Sequence, residues 1–176
     1  MSWVVWITGL PGSGKSTVSE LLKERVPEAE ILGMDELRRI VTPEPVYSDS
    51  EREHVYRALV YTAKTLNKLG HNVIIDATGN RRIWRELARA QIPVFLEVYL
   101  NCPLEICIQR EKSRIDRHAA PGGIYEKSEK GWPVPGVNTV YEAPEKPELI
   151  INADINSPEN TVKMILEMIK VNTGIS

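Results

Sequence analysis

An α/β fold with a parallel sheet is what this sequence predicts, on three observations. Short apolar runs alternate with helical patterns along the chain. The first run, Trp3-Val4-Val5-Trp6-Ile7, leads into Thr8-Gly9-Leu10-Pro11-Gly12-Ser13-Gly14-Lys15-Ser16-Thr17, a G-x-x-x-x-G-K-S phosphate-binding loop. A helical pattern with Val18, Leu21, Leu22 and Val26 on one face follows at once. Strand, glycine loop and helix in that order are the context the motif requires. The glycines let backbone N–H groups approach a phosphate at the positive end of a helix. Lys15 then reaches the terminal phosphates as a point charge, and the Ser16 hydroxyl is placed to bind Mg²⁺.

The remaining elements follow in order. Glu30-Ile31-Leu32-Gly33 is a short strand. Ser50, with Glu53 three positions on, predicts a capping box that opens a long helix. Val55, Leu59, Ala63, Leu66 and Leu69 form its apolar stripe, and Gly70 ends it. Val73-Ile74-Ile75-Asp76 is apolar on both faces, as a buried parallel strand is. A helix spans Arg82 to Ala90, and a strand runs from Val94 to Leu100. Pro103, at a first helical position, starts the next helix. Leu149-Ile150-Ile151 is a fifth strand. The last helix begins at Ser157-Pro158-Glu159 and buries Val162, Ile165, Leu166 and Ile169. Between residues 112 and 147 the rhythm breaks into Pro, Gly and charge. A long irregular stretch beside a phosphate loop predicts a lid, placed at about 112–135.

With 176 residues the chain is long enough for a single domain, 1–176, with a substantial core. Hydrophobic residues at 42% and charged residues at 26% are ordinary for a soluble globular protein. A net charge of −2 supplies no field to recruit nucleic acid or a membrane. Cys102 and Cys107 make neither a disulfide framework nor a four-ligand zinc site. His54, His71 and His118 have no metal-ligand spacing. No leader-like segment precedes the first strand and no apolar run reaches membrane-spanning length, so a cytoplasmic protein is expected.

Ligands of parallel α/β sheets bind beyond the C-terminal ends of the strands. The residues there are the phosphate loop, then Asp35 with Arg38 and Arg39, then Asp76-Ala77-Thr78-Gly79-Asn80-Arg81-Arg82, then Asn101. Two carboxylates and several arginines beside phosphates are what phosphoryl transfer uses. Asp35 is the candidate to orient an attacking hydroxyl or take its proton. Asp76, after a hydrophobic strand, is the candidate to associate with Mg²⁺; the two roles are interchangeable on sequence alone. Each also has a plainer reading as a helix N-cap. Arg82, Arg85 and Arg89 share a helix face, but seven residues span about 10 Å, so they cannot all touch one small ligand. Arg81 or Arg82 is the ligand candidate, with Arg85 and Arg89 forming a solvated or ion-paired face. Arg57 binds substrate only if the long helix borders the cleft. Trp132 either stacks on a base or anchors the lid. The two cysteines are small packing residues.

Taken together, these residues resemble the adenylylsulfate (APS) kinases, from about Trp3 to Ile151. The phosphate loop is similar, and more specific is Glu97-Val98-Tyr99-Leu100-Asn101-Cys102-Pro103-Leu104-Glu105-Ile106-Cys107-Ile108-Gln109-Arg110. Most specific is Tyr141-Glu142-Ala143-Pro144-Glu145-Lys146-Pro147-Glu148-Leu149, joined by Gly123-Ile124-Tyr125-Glu126-Lys127. The resemblance implies a phosphate-loop NTPase fold of the nucleoside-monophosphate-kinase branch. It implies a five-stranded parallel sheet flanked by helices, a dimer, and phosphorylation of the 3′-hydroxyl of adenylylsulfate by ATP and Mg²⁺ to give PAPS. In it, Gly9 to Thr17 and Arg110 hold the nucleotide, and Lys15 and Asp35 are catalytic. The resemblance places Asp35, Arg38, Arg57 and Lys127 at the acceptor; the strand-end reading adds Asp76, Thr78 and Arg82 there and offers Ser16, Asp35 and Asp76 to the metal.

The chain departs from the family pattern on the acceptor side. Gly33 replaces the first Asp of Asp-Gly-Asp, and Glu53-His54-Val55-Tyr56-Arg57 replaces Glu-Asn-x-Arg-Arg. Ala77-Thr78-Gly79-Asn80 replaces Phe-Ile-Ser-Pro, with Gly79 at the serine that some members are recorded as phosphorylating. Val134-Pro135-Gly136-Val137 replaces Phe-Thr-Gly-Ile, and about nine extra residues lie between Arg110 and Gly123. These departures leave open a kinase for another small-molecule, nucleoside or RNA-linked hydroxyl. A nucleotide switch is a further alternative: Asp76-x-x-Gly79 fits its pattern, but the only Asn-Lys, Asn67-Lys68-Leu69-Gly70, lies in a helical stretch and lacks the guanine-reading Asp.

Overall fold

In the computed structural model the described residues are 2–113 and 122–174. Residues 114–121, which include His118 and part of the expected lid, lie outside them. The elements run β1 (Val4–Thr8), α1 (Lys15–Arg25), β2 (Glu30–Gly33), α2 (Met34–Val41), α3 (Asp49–Lys68) and β3 (Val73–Asp76). They continue with α4 (Arg82–Gln91), β4 (Phe95–Asn101), α5 (Leu104–Lys112), α6 (Ile124–Ser128), β5 (Leu149–Asn152) and α7 (Pro158–Thr173). The strands form one sheet in the order β2-β3-β1-β4-β5, and every pairing is parallel. This bears out the expected five-stranded parallel sheet.

β1 lies at the centre, and all five of its residues are buried. Successive side chains of a strand point to opposite faces, so β1 feeds two cores. Val5 and Ile7 join Val18 and Leu22 of α1 and Val162, Ile165 and Ile169 of α7. Val4 and Trp6 join Val55 and Leu59 of α3 and Trp84 and Ala88 of α4. The central strand therefore explains why helices cover both sides.

Several boundaries differ from the sequence reading. Ser48, not Ser50, caps α3, accepting from the Glu51 amide at 3.1 Å. Glu53 is taken instead by the Trp84 indole N–H at 2.6 Å and by Arg57. Leu69 is 71% exposed and does not belong to the α3 stripe. Pro103 is the N-cap of α5, one position earlier than expected. Asp35 does not cap a helix: it sits in the first turn of α2, whose N-cap is Gly33. Asp76 does not cap either, because α4 begins after Arg81. Helices α2 and α6 were not among the expected elements. In α2 one of the two buried positions is an arginine, Arg38, which hides the apolar period. Gly70, at φ 96, ends α3 as expected, and Ser157 with Pro158 starts α7.

One charged group lies deep in the second core. Glu97 is 2% exposed and meets Arg85, 0% exposed, at 2.6 Å, with Arg89 at 3.2 Å. Arg89 also pairs with Glu148 at 2.6 Å, tying the segment before β5 to α4. The sequence reading of an ion-paired face thus holds for Arg85, while a solvated one does not. Removing one partner of such a pair leaves an uncompensated buried charge, which costs about 3–5 kcal/mol. Glu97→Ala is expected to lower the melting temperature by about 6–20 °C; an unchanged midpoint in thermal denaturation would remove this pair from the account of stability.

Among the described residues no helix is long and apolar enough to cross a membrane.

Candidate active site

The loop between β1 and α1 forms the floor of a cleft of about 380 Å³. Pro11, Gly12, Gly14, Lys15, Ser16 and Thr17 face it, whereas Gly9, Leu10 and Ser13 lie behind this surface. Gly12, at φ 82, is needed for close approach, since a Cβ there would run into the carbonyl oxygen of Cys107 on α5. Gly14 caps α1 at φ 100, and nothing lies within 4 Å of where its Cβ would be. That open space, at the N-terminus of an 11-residue helix, suits an anion. The Lys15 ammonium folds over the loop and donates to the carbonyls of Gly9 and Leu10 at 3.1 and 3.0 Å. These residues fit the triphosphate of a nucleotide. Arg110, whose guanidinium is fixed by the Ala153 carbonyl at 2.8 Å, lines the same cleft.

Asp35 enters from the first turn of α2 and Asp76 from the end of β3, and both line the cleft. Both also line a smaller adjoining cavity of about 260 Å³ together with Ser16. Among the described residues no group of three or more His, Cys, Asp and Glu is placed to hold a metal. A magnesium ion carried on a nucleotide needs only one or two protein groups, and Ser16 with either carboxylate supplies them.

Two buried cations face the other half of the cleft. Arg38, 7% exposed, pairs with Glu51 at 2.8 Å and lies over the Tyr47 ring, 4.9 Å from its centroid. Arg52, 6% exposed, donates to the Pro133 carbonyl at 2.8 Å. Burial lowers the pKa of Arg52, with nearby Tyr56 opposing the shift most strongly. A desolvated guanidinium of this kind is a ready anion partner. Burial likewise raises the pKa of Tyr47, against the pull of Arg38, and that of Tyr56, against its bond from the Gly79 amide.

The turn after β3 is fixed from every side. The Trp6 indole N–H donates to the Ala77 carbonyl at 2.9 Å, and the Thr8 hydroxyl to the Thr78 carbonyl at 2.6 Å. The Gly79 amide donates to the Tyr56 hydroxyl at 2.9 Å, while its carbonyl accepts from Arg85. Asn80 reaches the Val140 carbonyl at 3.0 Å. Ala77, Thr78 and Asn80 are thereby presented to the cleft as a rigid wall.

The described part of the segment expected as a lid lines the third side, through Trp132 to Pro135. Trp132 lies against Tyr47, with ring centroids 4.9 Å apart, and Lys127 holds its ammonium 5.1 Å from the Trp132 ring centre. Both readings of Trp132 therefore remain compatible with its place, since it lines the cleft and packs on a neighbour. Lys127 itself does not line the cleft.

Two further expected acceptor residues lie elsewhere. Arg57 pairs with Glu53 at 2.6 Å on the outer side of α3 and does not line the cleft. The helix does border the cleft, but through Arg52 and Tyr56; five residues further on is about 140° around the axis from Arg52. Arg82 turns to Glu145 and the Ala143 carbonyl, away from the cleft lining. Asn80, expected among the residues beyond β3, does line the cleft, and the lining residues that sequence reasoning missed include Tyr47, Arg52, Tyr56 and Glu111. Arg52 had a signal: counting back from Leu59 and Tyr56 at helical spacing lands on it. Tyr47 had none, since it lies in a loop at φ 55.

The sequence matches the adenylylsulphate kinase family model over residues 1–152. A probable adenylyl-sulfate kinase of Archaeoglobus fulgidus is 35% identical over 162 residues, 89% of this chain and 99% of that protein. The solved structure of the Mycobacterium tuberculosis APS kinase in complex with AMPPNP and APS is similar at a TM-score of 0.83 and 28% identity, covering 96% of this chain and 98% of that one. Shikimate kinase from Aquifex aeolicus, at 17% identity and a TM-score of 0.58 over 98% of this chain and 99% of that one, shares the fold.

Proposed function

The chain belongs to the adenylylsulfate kinase family, and on that premise we propose that it transfers the terminal phosphate of ATP to the 3′-hydroxyl of adenylylsulfate. It is then a phosphotransferase with an alcohol acceptor, serving sulfate activation. One observation carries the reading: the phosphate loop, two carboxylates and two buried arginines share a single cleft.

In this mechanism the loop amides of Gly12 to Thr17 bind the triphosphate and Lys15 leaves the Gly9 and Leu10 carbonyls for it. Ser16 with Asp35 or Asp76 would hold Mg²⁺, which would supply charge neutralisation at the transferred group. Asp35 orients the attacking hydroxyl and accepts its proton. Arg38 and Arg52 bind the acidic part of the acceptor. Thr78 and Asn80 line the acceptor's path, and Trp132, its ring tilted 50° to that of Tyr47, offers an aromatic surface to its base. That surface makes up for the aromatic lost at Val134. Covering the cleft excludes water, which would otherwise hydrolyse ATP. A homodimer in the cytoplasm is the state proposed for the chain; a sedimentation mass of two chains would support the first half of that statement, and a mass of one chain would reject it.

Arg57→Ala is expected to leave kcat/KM for the acceptor within about twofold, as exposed ion pairs contribute little. Arg52→Ala is expected to raise KM for it about tenfold or more, as charge-assisted bonds do. Equal effects of the two would return the acceptor arginine to the outer face of α3.

A second reading, a kinase for another alcohol, is favoured by the Ala77-Thr78-Gly79-Asn80 wall, which differs from the family's. An acceptor screen reading ADP release separates the two. Release with adenylylsulfate well above that in buffer supports the first. Release with a different alcohol, and none with adenylylsulfate, installs the second.

A further inference from the structure

The phosphate loop is held from behind as well as from below. The Tyr125 hydroxyl of α6 donates to the Pro11 carbonyl at 2.6 Å. Tyr125 is 5% exposed and belongs to the core beside Cys107, not to the cleft lining. Its hydroxyl thus approaches Pro11 from the side away from the cleft. Helix α6 is itself fixed by Glu111, at the end of α5. The Glu111 carboxylate, 8% exposed, accepts from the amides of Gly123 at 2.9 Å and Ile124 at 3.3 Å. The circuit closes one turn earlier on α5, where the Cys107 carbonyl packs on Gly12. Loop, α5, Glu111, α6 and Tyr125 form one ring of contacts.

Peptide geometry gives this ring a consequence. In a planar trans peptide the C=O and N–H point in opposite directions. Pro11 and Gly12 share one such peptide. A hydroxyl that holds the Pro11 carbonyl toward the core therefore turns the Gly12 N–H toward the cleft, where a phosphate oxygen is bound. Without it the peptide is free to rotate as a unit, a motion that glycine at position 12 permits, and a carbonyl oxygen then faces the anion. We infer that Tyr125 is a positioning residue for the nucleotide, setting the Pro11–Gly12 peptide through its hydroxyl, and that Glu111 acts through Tyr125 by fixing α6.

This inference rests on the donor half of the proposed function only, so its test uses nucleotide binding and no acceptor. Calorimetry with AMPPNP and Mg²⁺ is compared for the wild-type chain, Tyr125→Phe, Glu111→Ala and the double variant, with thermal denaturation of each without nucleotide. Tyr125→Phe removes one hydroxyl from an otherwise intact ring. Its affinity for AMPPNP is expected to fall about 5- to 10-fold, the scale of one hydrogen bond, with little change in the ligand-free melting temperature. Glu111→Ala is expected to weaken binding in the same direction, and the double variant to be little worse than the weaker single one, because the two act in series. An affinity of Tyr125→Phe within about threefold of wild type overturns the inference. So does a lowered ligand-free melting temperature with affinity retained, which marks a packing role alone. Failure of the acceptor screen would leave these binding results untouched.

Discussion

Lys15→Ala is expected to lower kcat by about 10³-fold or more, the scale of removing a charge aimed at the transition state. Lys15 lies at the start of α1 and its ammonium spans the loop to the Gly9 and Leu10 carbonyls. Those contacts are between partly buried groups at a surface, so their loss costs little stability, and the melting temperature is expected to move by about 2 °C or less. The phosphates lose the one ammonium group within the loop, and no other described lysine lines the cleft to replace it. Turnover is read as ADP release, with circular dichroism and thermal denaturation as checks on folding. Activity close to wild type in a well-folded variant would take the loop lysine out of the chemistry.

Asp35→Asn is expected to lower kcat by about 10²-fold or more, as for a positioned acid–base group. The amide keeps the size and hydrogen-bonding reach of the carboxylate but neither its charge nor its basicity. KM for ATP should change little, because the phosphate loop, not α2, holds the donor. A first-turn carboxylate also favours its helix by about 0.3–1 kcal/mol, so a small drop in stability accompanies the loss. Wild-type turnover in Asp35→Asn, with Asp76→Asn impaired, would move the role to the end of β3.

The fold was legible because its signals are local. A glycine loop flanked by an apolar strand and an amphipathic helix, and strands apolar on both faces, specify a parallel sheet without reference to anything distant. The floor of the cleft is read in the same way, since its loop residues fall in one short run from Pro11 to Thr17. The other half of the cleft is assembled from α2, α3, the turn after β3 and the stretch from Trp132 to Pro135, and here the sequence misleads. Arg57 and Arg52 lie on the same helix, and only the packing of Tyr56 and Leu59 against the core decides which of them faces inward. Arg82 stands nearer the strand end than Arg85, yet it is Arg85 that turns inward to Glu97 and the Gly79 carbonyl. Helix α2 escaped notice because a buried arginine took the place of an apolar residue, which is what a cleft demands and a core pattern does not.

The four tryptophans are distributed in a way that makes the protein its own optical reporter. Trp3, Trp6 and Trp84 are 2%, 0% and 1% exposed, whereas Trp132 is 37% exposed at the rim of the cleft. A small quencher such as acrylamide therefore reaches one indole, and the quenchable part of the emission belongs to that rim. Filling the cleft is expected to shield that indole more than the other three, so that occupancy can be followed by light alone, without labelling the chain.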